Sequence, residues 1–135
     1  MKKSADPDAR GFTMIEILVV VSLIVILASM GMVQYRNSVT RAEEAVLKEN
    51  LFRMRDAIDQ YYADKAKYPQ GLTDLVSDGY IREIPNDPMT KSKDSWTTTQ
   101  AEADANNPAS QAGIYDVKSG SDRTALDGTR YADWD

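Results

Sequence analysis

From Phe12 to Val33 the chain reads FTMIEILVVVSLIVILASMGMV, 22 residues carrying a single charge, Glu16. At about 1.5 Å of rise per residue this run predicts a helix of roughly 33 Å, enough to cross the hydrocarbon core of a bilayer. No proline or turn cluster follows it. The pattern changes instead: Leu47, Leu51, Met54, Ile58 and Tyr61 recur at spacings of four and three and share one helical face. Glu44–Lys48 and Glu49–Arg53 are expected as i, i+4 ion pairs on the polar side. The simplest element is one helix from about Thr13 to about Lys65, roughly 80 Å long, apolar all round at first and amphipathic later. A membrane anchor followed by a separate helix has the same periodicity.

Beyond it the pattern shortens. Tyr68-Pro69 is expected to end the helix, because the residue before a proline is pushed out of the α region. Leu72, Leu75 and Val76 then share one face of a short helix, with Gly79 as its C-cap and Ile81 and Ile84 buried beyond it. Pro85 and Pro88 open a loop. Residues 97–112 hold no aliphatic side chain larger than alanine and predict a long surface loop. A short strand is expected around Ile114–Val117, followed by Gly, Ser and Asp turns and a terminal Tyr131-Ala132-Asp133-Trp134 segment. Tyr61 and Tyr62 are expected to pack in a core or interface, and Trp96 and Trp134 in the core or at its edge. The amphipathic half-helix cannot bury its stripe alone. The fold class is therefore α+β: a long N-terminal helix packed on a small head with a short helix and a small antiparallel sheet.

Composition narrows the chemistry. The chain of 135 residues has no cysteine and no histidine, so disulfides, thiolate chemistry, a Ser-His-Asp triad and a typical zinc site are excluded. The usual parts of a catalytic site are therefore missing. Residues 69–135 hold six basic and twelve acidic side chains. An acidic half of this kind argues against nucleic-acid binding and suits a solvated surface or a hard-cation site.

The start of the chain is more specific. RGFTMIEILVVVSLIVILA resembles the prepilin signal of the type IV pilin-like family: a short charged leader ending in Gly, then Phe-Thr, an apolar helix, and Glu four residues past the Phe. The resemblance implies a leader peptide (1–11) removed between Gly11 and Phe12 by a membrane prepilin peptidase, which also N-methylates Phe12. It further implies a transmembrane and assembly segment (12–36) and a periplasmic head (37–135). Cleavage creates an α-amine at Phe12, and in a filament the Glu16 carboxylate of one subunit lies beside the Phe12 amine of its neighbour. Pairing recovers part of the cost of burying each charge. The alternative for a lone membrane-bound subunit is that Glu16 snorkels to the headgroups. Many members carry proline near the position of Val33; here Gly31 is the only weak point.

Further along, YPQGLTDLVSDGYIREIPNDP and GIYDVKSGSDRTALDGTRYADW are similar to stretches of the major pseudopilins of type II secretion. That resemblance implies a subunit, not an enzyme, that polymerises into a periplasmic pseudopilus driving protein secretion. Its partners would be copies of itself, the peptidase, minor pseudopilins, the inner-membrane assembly platform and, before assembly, the bilayer. It also implies calcium as the one cofactor, held by the acidic C-terminal loop, with Asp122, Asp127 and Asp133 as candidate ligands. The same aspartates also suit ordinary solvated turns. Two rivals remain at this point: a type IV pilin subunit of an extracellular fibre, and a membrane-tethered binding module that never polymerises.

Overall fold

The computed structural model describes residues 7–102, 105–106 and 112–135, with no side-chain description for 7–12. A single helix, α1 (Pro7–Lys65), covers the apolar run and the amphipathic stretch alike. It begins earlier than Thr13 because Pro7 is suited to a first helical turn, where no N–H is needed. It ends just ahead of Tyr68-Pro69, where Ala66 takes a left-handed conformation (φ 55°) while its N–H still reaches the Tyr62 carbonyl at 2.8 Å. Two compact units divide between Val39 and Thr40.

In the unit beginning at Thr40, the stripe predicted from spacing is the centre of the core. Leu47, Met54 and Ile58 are fully buried, and Leu51 and Tyr61 nearly so. The short helix α2 (Leu72–Ser77) adds Leu75 to this cluster. Its C-cap is Asp78, one residue before the expected Gly79, which follows in the left-handed region (φ 80°) with its N–H on the Val76 carbonyl, and the Tyr80 N–H bonds the Leu75 carbonyl at 2.9 Å. This closes the helix with its last carbonyls satisfied. Ile81 and Ile84 pack half-buried against the same core.

Residues 97–112 do not form one loop. Their first part is strand β1 (Thr97–Gln100), paired antiparallel with β2 (Ile114–Lys118). The β-branched run Thr97-Thr98-Thr99 favours a pleated strand even though it has no apolar alternation. Residues 103–104 and 107–111 of that expected loop lie outside the described residues. The register steps from Thr99↔Asp116 to Gln100↔Ile114, so Tyr115 is an extra residue in β2. The bulge re-aims the strand. Ile114 and Val117, three apart, both enter the core, while Tyr115 between them is exposed. Without a bulge, alternation would send one of the two outward.

Two turns lock onto each other beside the sheet. Asp87 is completely buried, its carboxylate accepting from the Met89 N–H (2.9 Å) and from the Ser119 hydroxyl (2.5 Å). Ser119 in turn accepts from the Ser121 N–H. Gly120 completes the contact: a Cβ there would stand 1.9 Å from the Ser95 carbonyl oxygen, so only glycine lets the two turns meet. Trp96 is buried beside them and donates to the Pro85 carbonyl at 2.8 Å.

Candidate functional site

Between Met14 and Val33 every large apolar side chain of α1 is 47–70% exposed. The most apolar 18-residue window of this helix has a mean hydropathy of 2.6, and none of it is buried. A bare apolar surface of this kind is stable only against lipid or other apolar helices. The helix is long and apolar enough to cross a membrane. Its polar side chains fit such surroundings. The hydroxyls of Ser22 and Ser29 donate to the carbonyls of Leu18 and Val25, four residues back, at 2.7 and 2.8 Å. They therefore need no outside partner in hydrocarbon.

Glu16 is the exception. Its side chain is exposed on this helix, one turn beyond Phe12. A carboxylate on a surface destined for an apolar medium carries a desolvation cost that only a cation or a polar interface offsets. Gly11 and Phe12 fall within the α1 backbone, but their surroundings lie outside the described residues.

The other candidate residues sit in the C-terminal segment, where Asp127 and Asp133 line one open cleft together with Lys48, Arg130 and Trp134. The Asp122 side chain is almost fully exposed and stands 3.8 Å from the Arg130 guanidinium. Asp127 is exposed and turned inward on its own turn, accepting from both the hydroxyl (2.6 Å) and the N–H (2.9 Å) of Thr129. These two bonds, the hydroxyl first, hold its carboxyl below the ordinary Asp range. Asp133 belongs to a 3-10 turn, Tyr131–Asp133. Among the described residues no group of three or more acidic side chains is placed to hold a metal ion.

This segment is fastened to α1 through Glu44 and Lys48, which spacing had paired with each other, and through Arg55. Glu44 does not pair with Lys48. One of its oxygens accepts from the Tyr131 hydroxyl at 2.8 Å and from the Leu126 N–H at 3.0 Å. Lys48 lies over the Trp134 ring, 4.9 Å from its centre. Arg55 donates to the Asp116 carboxylate and to the carbonyls of Val117 and Trp134, all at 2.8–2.9 Å. The Glu49–Arg53 pair forms as expected at 2.8 Å. Glu44, Lys48 and Arg55 flank the apolar stripe along one edge. A polar row at spacings of four and seven beside that stripe was the available signal.

Tyr131 is the largest fully buried side chain, packed edge-on against Trp134 at 5.0 Å. Burial first, and the Glu44 hydrogen bond second, push its phenol up to about 12. The neutral phenol is thus favoured by folding. Its stabilisation is complete below the unfolded value near 10 and is lost as pH rises toward 12. The head is expected to lose stability over that window. Thermal melts of Tyr131→Phe between pH 9 and 12 should show a flatter decline than wild type.

The Prokaryotic N-terminal methylation motif matches residues 7–32. The chain is also similar to curated proteins named type II secretion system core protein G. That of Klebsiella michiganensis is 33% identical over 95 residues, covering 58% of this chain and 67% of the relative. The Klebsiella pneumoniae protein is 34% identical over 58% of this chain and 68% of its own length. The protein of Escherichia coli strain K12 is 32% identical over 62% and 69%. No solved structure gives a significant match.

Proposed function

The chain belongs to the type II secretion system core protein G family, the major pseudopilins, and from this we propose that it works as a processed, polymerising subunit. The observation that carries the reading is the bare apolar half of α1 with Glu16 as its only charge between Phe12 and Val33. Before assembly, that surface is covered by the lipid of the inner membrane, with the head in the periplasm. Prepilin peptidase cuts between Gly11 and Phe12 and methylates the new amine. In the fibre, neighbouring helices replace lipid around the apolar surface, and the Phe12 amine of one subunit meets Glu16 of the next.

The ion pair explains why processing precedes assembly. While residues 1–11 are attached, position 12 offers a peptide N–H and no charge. Glu16 would then enter the fibre unpaired, at a cost of several kcal/mol. Cutting supplies the cation at the point where the carboxylate needs one. Growth of the fibre on the assembly platform, with minor pseudopilins at its tip, moves folded proteins outward. The work is mechanical, in keeping with relatives named as a core protein of the type II secretion system.

Deleting the gene in its own host is expected to stop the release of secreted folded proteins and to leave twitching, adhesion and DNA uptake intact. Secretion assays and motility plates on the same strain check this. Lost motility with normal secretion would instead place the subunit in an extracellular pilus.

A further inference from the structure

A calcium ion bound in a loop takes six to eight oxygens at about 2.3–2.6 Å, supplied by carboxylates and carbonyls that converge on one point. Among the described residues of the C-terminal loop no three acidic side chains form the carboxylate part of such a set. Asp122 faces Arg130, one Asp127 oxygen is used by Thr129, and no three acidic groups among the described residues are placed to hold a metal ion, although Asp127, Asp133 and Asp135 line one open cleft. The carboxylates of the loop are not grouped as the ion that the family resemblance implies would require.

The task such an ion would perform is already done from outside the loop. Glu44 holds Leu126 and Tyr131, Lys48 covers Trp134, and Arg55 grips Trp134, Val117 and Asp116. The anchors span residues 116–134, so both ends of the loop are tied to α1. Their charges are balanced locally: the Arg55 and Asp116 side chains are each about a quarter exposed and paired at 2.9 Å. Buried Asp87 fastens the start of the loop at Ser119. We infer that this chain closes its C-terminal loop with side chains of α1 and with Asp87 instead of a cation, so that its head is equally stable with and without calcium.

The test is thermal unfolding of the full chain in detergent micelles, in excess calcium chloride and in EGTA, with calorimetric titration of calcium in parallel. The melting temperatures are expected to agree within about 1 °C, because a ligand that does not bind the native state cannot shift its melting. Calcium at about 100 times its Kd would raise the melting temperature by roughly 10 °C or more. A calcium-dependent rise of that size, or stoichiometric micromolar binding in the calorimeter, overturns the inference. Glu44→Gln provides the second measurement. It is expected to lower the melting temperature by the same amount in both buffers, and a loss that calcium restores overturns the inference equally. Asp122→Asn is expected to leave both melts unchanged. None of these readouts depends on fibre assembly.

Discussion

Replacing Glu16 with alanine is expected to leave a chain that is cut between Gly11 and Phe12 but builds no fibre. The head does not involve this residue, so its fold and its accumulation in the membrane should be normal. Under the proposed pairing, however, the variant leaves each Phe12 amine buried in the fibre without its counter-charge. Removing one member of a buried pair costs about 3–5 kcal/mol, which is a loss of at least about 100-fold in the affinity of each subunit for its neighbours. Glu16→Gln keeps the shape and loses the charge, so it should fail nearly as badly. Glu16→Asp keeps the charge on a stem one carbon shorter and should retain part of the activity. Electron microscopy of sheared fibres, with immunoblots for processed subunit, separates these outcomes. Normal fibres from Glu16→Ala would assign the carboxylate to the headgroup region instead.

The second large effect falls on the head. Tyr131→Ala removes the largest fully buried side chain. It also removes the hydroxyl that Glu44 accepts from and the ring against which Trp134 packs. Large-to-small changes at such sites cost about 3–5 kcal/mol. Against a total stability of about 5–15 kcal/mol, that would leave the C-terminal segment detached from α1 in a large share of molecules. Tyr131→Phe keeps the packing and loses one hydrogen bond, so a smaller loss of about 1–2 kcal/mol is expected. Urea denaturation followed by tryptophan fluorescence compares the two, since Trp134 reports directly on release of the segment.

These two residues also mark what was legible beforehand. Glu16 stands out in the sequence because it is the one charge in 22 residues, and a lone charge in an apolar run has few explanations. The core stripe of α1 was legible for a related reason. Helical spacing is local, so Leu47, Leu51, Met54, Ile58 and Tyr61 declare their shared face without reference to anything else. Tyr131 sits in a short Gly/Asp-rich stretch with no period, and its burial depends on Glu44, 87 positions earlier. Asp87 likewise looks like a turn residue until Ser119 is brought to it across 32 positions. Strand β1 was hidden because its threonines show no alternation of apolar and polar residues. Its identity comes from pairing with β2, whose bulge at Tyr115 also breaks the period that would have located the inward-facing residues. The contacts that close the head are non-local, and no single stretch of the chain encodes them.

The central claim, that cleavage makes the partner Glu16 requires, is tested most directly at the N-terminus of the mature chain. Mass spectrometry of protein taken from membranes of the native host should find a first residue of N-methylated Phe12, with residues 1–11 absent. A chain that still begins at Met1, or one whose new terminus lies near Gly31, would contradict the account.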